Sequence, residues 1–267
     1  MALSFTAHED VVYERAPLTV VVCQVKFPPI MSLLAAAGVA GFQAALRDEY
    51  PVLMPGQIRS TVSITPGSMG MEQSAPTWKL VDETAAWTVA LTVDSILLET
   101  PSYTDIGEFL ARFDRIMSAL RRTVRPADSL RIGLRKVNEI ELGETIDRAS
   151  LLSSIRPELL GVLSAHKLPS PVSFNFSQVH FAEDDNTLAV QYGLHPGNGH
   201  GTERVSKFVL DLDYFTERPY AVDGTDELLR LIRHFSDGMT SFFQWALTPE
   251  YKNSLGPRFK TPEENRA

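Results

Sequence analysis

Two amphipathic segments lie 119 residues apart in this chain and carry apolar residues at matching positions. Phe109, Leu110, Phe113, Ile116 and Leu120 match Leu228, Leu229, Ile232, Phe235 and Met239 without a gap. Both sets follow the three-and-four spacing of a helix that buries one stripe. Leu91-Thr92-Val93-Asp94 and Leu210-Asp211-Leu212-Asp213 repeat the same offset, and the strand-like runs from Leu18 and Leu130 match at 112. A chain built this way is constrained to a repeated order: strand, helix, three or four strands, helix, then the same again.

Local signals fill in that order. Leu18 to Phe27 is β-branched and ends at Pro28-Pro29, which predicts a strand. Leu33 to Tyr50 predicts a helix stopped by Pro51, weakened in front by Gly38 and Gly41. Ile58–Thr65 alternates as a strand, and Trp78–Val81 with Trp87–Leu98 predicts a hairpin about Asp82–Ala86. Thr104 or Asp105 caps the first long helix, and Pro126 ends it. Leu130–Leu142 predicts a strand, Arg148–Ala165 a helix interrupted by Pro157, and Val172–Phe181 with Leu188–Leu194 a second hairpin. Val205–Phe215 predicts the last strand, and Thr225 caps the last helix.

The expected fold class is α+β: a tandem duplication of a β-α-β(3-4)-α unit, forming a curved antiparallel sheet with helices on one face. Short turns force antiparallel pairing. The expected boundaries are residues 1–128 and 129–248 for the two halves and 249–267 for a polar, frayed tail. By topology this resembles the saddle of TATA-binding-protein-like folds, an analogy of fold that carries no function.

Composition narrows the function classes. Hydrophobic residues make up 44% of the 267, enough for a substantial core. The net charge of −8 divides equally, −4 for residues 1–128 and −4 for 129–267, and disfavours a general polyanion binder. A single cysteine, Cys23 in a valine-rich strand, reads as a buried small hydrophobe. The N-terminal residues lack a basic-then-apolar signal pattern, and Ile30–Ala45 is too short to span a bilayer. The expectation is a cytoplasmic protein without contact to membrane.

Candidate site residues are few. Asp211 and Asp213 share a strand face, and Asp94 is the counterpart of Asp213 at the common offset. Such carboxylates can bind a divalent cation, act as an acid–base pair, or pair with Arg131, Arg135 or Lys136. Arg121, Arg122, Arg125, Arg131, Arg135 and Lys136 form the one basic concentration. Arg131, Gly133 and Arg135 face one way, Ile132, Leu134 and Asn138 the other, so a buried Asn138 needs a hydrogen-bond partner. Trp78, Trp87 and Trp245 are core residues or interface anchors. The loop His195-Pro-Gly-Asn-Gly-His200-Gly lacks a third metal ligand at diagnostic spacing and lacks a phosphate-loop pattern. His8 and His166 sit in polar surroundings, and His234 reads as a packing residue. No nucleophile–base pair is legible, so the sequence assigns no catalytic residue, metal or cofactor.

Several short signatures act together: Tyr13-x-x-Ala16-Pro17-Leu18, Phe27-Pro28-Pro29, Phe42-x-x-x-Leu46 followed by Tyr50-Pro51, Arg131-Ile132-Gly133-Leu134-Arg135-x-Val137-Asn138, Leu210-Asp211-Leu212-Asp213-Tyr214, and a last helix with His234 and Trp245. Their order and spacing resemble a sporadically distributed family of uncharacterised prokaryotic proteins. The chain departs from that pattern at Lys136, where an aromatic residue is expected, and at Lys26, where arginine is commoner. The resemblance implies one architecture and no established activity. Its sporadic distribution is like that of antitoxin, immunity or phage-defence accessory proteins.

The leading expectation is therefore a non-catalytic module whose partner is another protein or a second copy of the chain. A metal-dependent enzyme using Asp94, Asp211 and Asp213 with His195 or His200 is one alternative. A nucleic-acid binder using Arg121 to Lys136 is the other.

Overall fold

The computed structural model describes residues 11–54, 60–65, 68–73, 76–142, 148–166, 172, 174–195, 207–221 and 225–259. In chain order these form β1 (Val11–Tyr13), β2 (Leu18–Lys26), a 3-10 turn (Met31–Leu34), α1 (Ala36–Leu46), β3 (Val52–Met54), β4 (Ser60–Thr65) and β5 (Ser68–Gln73). Next come β6 (Trp78–Val81), β7 (Thr88–Leu91), β8 (Ser95–Thr100), α2 (Ile106–Thr123) and β9 (Arg131–Glu141). The remainder is α3 (Arg148–Ser154), α4 (Pro157–Leu160), a 3-10 turn (Gly161–Ser164), β10 (Ser177–Glu183), β11 (Asn186–His195), β12 (Lys207–Thr216), α5 (Thr225–Ala246), α6 (Pro249–Ser254) and β13 (Pro257–Phe259).

The fold is α+β, with a nine-stranded antiparallel sheet in the order β10-β11-β12-β9-β2-β8-β7-β6-β3. β1 pairs with β13, and β4 with β5, as separate two-stranded sheets. Among the described residues, no helix is long and apolar enough to cross a membrane.

The chain divides into two compact units, each made of discontinuous segments. One comprises Val22–Gly133 and Thr216–Ile232. In it β6, β7 and β8 form a meander with Trp78 opposite Leu91 and Val89 opposite Leu98. Alternation puts Leu80, Val89, Leu91, Ile96 and Leu98 on one face, all buried. α2 supplies Phe109, Phe113, Ile116, Met117 and Leu120 to the same core. Asp105 caps α2 by accepting from the Glu108 N–H at 3.0 Å, and Glu108 in turn receives Arg112 at 3.1 Å. α2 stops where Arg125 takes a left-handed φ of 55° before Pro126.

Two local expectations change in this unit. The predicted strand Trp87–Leu98 is two strands, because Thr92-Val93-Asp94 turns the chain. The Thr92 hydroxyl contacts Asp94 Oδ1 and Ser95 Oγ at 2.8 Å each, which replaces the glycine or proline that usually announces a turn. The predicted helix Leu33–Tyr50 is a 3-10 turn followed by α1. Gly38 is needed there, since a Cβ would stand 2.0 Å from the Ser32 carbonyl oxygen.

The other unit comprises Met1–Val21, Leu134–Phe215 and Arg233–Ala267. β10 and β11 form a hairpin in which Val179 faces Val190 and Glu183 faces Asn186. Its turn places Asp184 at a left-handed φ of 49°. On β12, Phe208, Leu210, Leu212 and Tyr214 are buried under α5, where Phe235, Met239 and Phe242 are buried in return. Tyr214 stacks on Phe235 with ring centroids 4.6 Å apart, and Phe181 meets Phe242 at 5.9 Å. Gly238 on α5 makes room for the Tyr214 ring: a Cβ would lie 2.7 Å from its Cε1.

Residues 249–259 are not a frayed tail. Thr248 caps α6 by accepting from the Tyr251 N–H at 3.1 Å and donates its hydroxyl to the Ser153 carbonyl. β13 then pairs with β1, Val11 opposite Phe259. The expected strand from Ile58 begins at Ser60 and that from Val205 at Lys207, residues 58–59 and 205–206 lying outside the described residues.

Candidate functional site

β9 alternates as its sequence requires. Ile132, Leu134, Lys136, Asn138 and Ile140 are buried, while Arg135 is exposed and Val137 and Glu139 are half-buried. β12 presents Lys207, Val209, Asp211, Asp213 and Phe215 opposite to its buried row. Two ion pairs fix the register of these strands within their unit. Arg135 donates Nε to Asp211 Oδ1 at 2.8 Å and Nη2 to Oδ2 at 2.5 Å. Lys207 donates to Glu139 Oε2 at 2.5 Å. The same antiparallel register sets Val137 across from Val209, so a valine pair lies between two charge pairs.

The Arg135–Asp211 pair is asymmetric. The arginine side chain is 52% exposed and the aspartate only 12%. The hydrogen bond that Arg135 donates to Asp211, with the charges of Asp211 and Asp213 added, raises the guanidinium above its ordinary pKa. The bidentate fork holds the arginine in one orientation, an arrangement lysine cannot reproduce.

The buried row carries its own polar groups. Lys136 donates to Ser236 Oγ on α5 at 2.8 Å. Burial lowers its ammonium pKa from 10.5 to about 8, against a smaller opposing effect of Asp237. Asn138 finds its required partner, donating Nδ2 to the Leu210 carbonyl at 3.3 Å. Buried Glu183 accepts from the Tyr214 hydroxyl and lies 2.8 Å from His234 Nε2. Burial first, then Glu183, pushes the Tyr214 phenol well above its ordinary value.

The remaining predicted residues are placed elsewhere. Arg131 folds over Gly133, with Nη1 2.6 Å from where a Cβ would sit. Asp94 is in the β7–β8 turn, its carbonyl accepting from the Phe27 N–H at 2.9 Å. It is therefore not the structural counterpart of Asp213, which sits inside β12, because the ungapped offset holds for the helices but not for these strands. Trp78 donates its indole N–H to the Leu33 carbonyl at 2.8 Å and is half-buried. His195 ends β11 edge-on to Phe174 at 5.3 Å. His8, His200 and residues 196–201 lie outside the described residues. Cys23 is fully buried, and burial raises its thiol pKa far above the usual range.

Among the described residues, no three His, Cys, Asp or Glu side chains are grouped so as to hold a metal ion. Asp211 is already engaged by Arg135, the plainest of the pairings its sequence allowed. The basic stretch does not present all its charges to solvent either: Lys136 points into the core, and Arg121 contacts Ser118 Oγ at 2.9 Å. Sequence reasoning missed Lys136–Ser236 and the Tyr214–Glu183–His234 network. Strand alternation places Lys136 with Ile132 and Leu134, which was the available signal.

What these features define is an α+β protein with an ion-paired strand face on β9 and β12. No protein-family model matches the chain, and no curated protein matches it.

Proposed function

We propose that this chain is a non-catalytic interaction module that receives a protein partner on the face of β9 and β12 turned away from α5. The observation that carries the proposal is the half-exposed Arg135 guanidinium, locked by Asp211 and flanked by the Val137–Val209 pair. Arginine is among the residues that dominate binding energy when a partner desolvates it. Because Asp211 fixes its orientation beforehand, less side-chain entropy is lost on docking. The adjoining valines supply apolar area, and the Lys207–Glu139 pair forms a polar margin.

The same proposal includes membership in the sporadically distributed prokaryotic family and a cytoplasmic antitoxin, immunity or phage-defence accessory role. It also includes a tandem duplication with saddle-like curvature. α2 and α5 begin 119 residues apart, and each follows a strand, helix and strand series. Those matches support the duplication.

The test is co-purification of the full chain from its native host, beside Arg135→Ala and Val209→Asp. A stoichiometric protein retained by the wild type and lost from both variants, with unchanged circular dichroism, is the expected result. Concentration-dependent sedimentation that both variants abolish identifies a second copy as the partner. Recovery of a monomeric free chain in repeated preparations, or retention of the partner by both variants, overturns the reading.

A further inference from the structure

A cleft of about 410 Å³ opens beside the Lys207–Glu139 pair. Its volume falls within the range of small-molecule sites, roughly 300–1,000 Å³. Backbone pairing builds it from four segments of one compact unit. The start of β2 is tied to β9 through Glu139 N–H to the Pro17 carbonyl at 2.8 Å and the Thr19 hydroxyl to the Val137 carbonyl at 3.1 Å. The opposite wall is α6, held to the chain entering β2 by Arg15 N–H on the Leu255 carbonyl at 3.0 Å. Ala16, Pro17, Leu18 and Leu255 give the lining an apolar portion.

The charges in this lining are balanced and unequally engaged. Lys207 and Glu139 satisfy each other. Arg15 donates one Nη2 hydrogen bond, to the Ser254 carbonyl, and is otherwise exposed, so several guanidinium N–H groups face solvent. Glu141 is exposed and, among the described residues, has no hydrogen bond or ion pair. Glu141 lines the cleft with Tyr251 and Lys207; its charge, after burial, raises the Tyr251 phenol and also adds to what raises the Lys207 ammonium. Arg15 and Glu141 thus keep hydrogen-bonding capacity in the same cleft. A lone cation meets Arg15 and Lys207 there, and a lone anion meets Glu139 and Glu141.

We infer that this cleft binds a small linear zwitterion, with its carboxylate on Arg15, its ammonium on Glu141 and its methylene stem against Pro17, Leu18 and Leu255. The inference concerns a different class of ligand from the protein-partner reading and contacts made by Arg15, Glu141, Pro17, Leu18 and Leu255, the cleft sharing only Lys207 and Glu139 with the margin of that face.

The experiment titrates the full chain with glycine, β-alanine, 4-aminobutyrate and 6-aminohexanoate, beside butylamine and butyrate, following Tyr251 by NMR. One chain length saturates the protein, while butylamine and butyrate each bind at least tenfold more weakly. Glu141→Gln and Arg15→Gln each weaken that zwitterion at least tenfold, with unchanged thermal melts. Three outcomes overturn the proposal: no member of the series binds, a singly charged compound binds as tightly, or both variants bind like the wild type. Should either variant fail to fold, Glu141→Asp and Arg15→Lys replace it. Each should shift the preferred ligand length, and an unshifted preference counts against the site.

Discussion

Replacing Lys136 by methionine should stabilise the protein at neutral pH. The ammonium sits on the buried face of β9 with Leu134 and Asn138, and its hydrogen bond to Ser236 does not offset its removal from water. Burial lowers its pKa from 10.5 to about 8 in the folded state. Below pH 8 both folded and unfolded chains bind the proton, and folding carries the full penalty. Between 8 and 10.5 the unfolded chain binds more proton than the folded one, so stability rises with pH and the penalty fades. At about 1.4 kcal/mol per pKa unit, the penalty is about 3 kcal/mol at pH 7 and under about 1 kcal/mol at pH 10. Methionine keeps the packing volume and removes the charge, while losing the hydrogen bond to Ser236, about 1 kcal/mol. The net gain is about 2 kcal/mol at pH 7 and near zero at pH 10.

Urea unfolding of both proteins from pH 7 to pH 10 measures this directly. The difference between the two curves is the quantity of interest, because other groups titrate in the same window. Tyr214, for example, has a raised folded pKa and therefore destabilises the fold as pH rises past the ordinary tyrosine value, equally in both proteins. A difference that stays constant with pH would refute the linkage argument. A methionine variant less stable than wild type at pH 7 would show that the buried ammonium is net stabilising, against the reasoning from desolvation.

Four further outcomes are expected. Gly238→Ala gains about 1 kcal/mol of helix propensity but drives a Cβ into Tyr214, whose ring is stacked and whose hydroxyl is held by Glu183, so the net is a loss of about 1–2 kcal/mol by chemical denaturation. A double-mutant cycle on Arg135 and Asp211 should give a coupling of only about 0.5–1 kcal/mol, since the arginine is half exposed and solvent screens the pair. Cys23, fully buried, should resist a thiol-reactive disulfide reagent in the folded protein and react at once in denaturant. Thr248→Ala removes the cap of α6 and should lower stability by about 1 kcal/mol, read as a shift of the urea midpoint.

Where periodicity carried the information, the sequence was readable. The stripe from Phe109 to Leu120 and that from Leu228 to Met239 gave α2 and α5. Alternation gave the faces of β9. It failed at Thr92-Val93-Asp94, because the apolar run continues across a turn made by side-chain hydrogen bonds. It also failed for residues 249–259, whose polar composition hides a capped helix and a strand that pairs with β1 across most of the chain. The Arg135–Asp211 pair stood among the pairings that sequence allowed, but choosing it needs the register of β9 on β12. The cleft was beyond sequence reasoning altogether. Arg15, Glu139, Lys207 and Tyr251 come from four segments, and only strand pairing and α6 bring them together.

The polar groups buried beneath the sheet are unevenly distributed, and that distribution bears on where function resides. Among the described residues, the unit built around β6, β7 and β8 buries Ser95, Thr100, Ser129 and Thr216 and no charged side chain. The unit built around β10, β11 and β12 buries Lys136, Asn138, Glu183, Tyr214 and Ser236, each with a hydrogen-bond partner. Apolar residues at those positions would serve stability as well or better. A satisfied network instead admits few alternative packings, because any shift leaves a buried group unpaired at about 1–3 kcal/mol. The same unit carries the ion-paired face and the cleft. Strand positions there are thus held by directional bonds between buried groups, charged ones included, where docking needs fixed geometry.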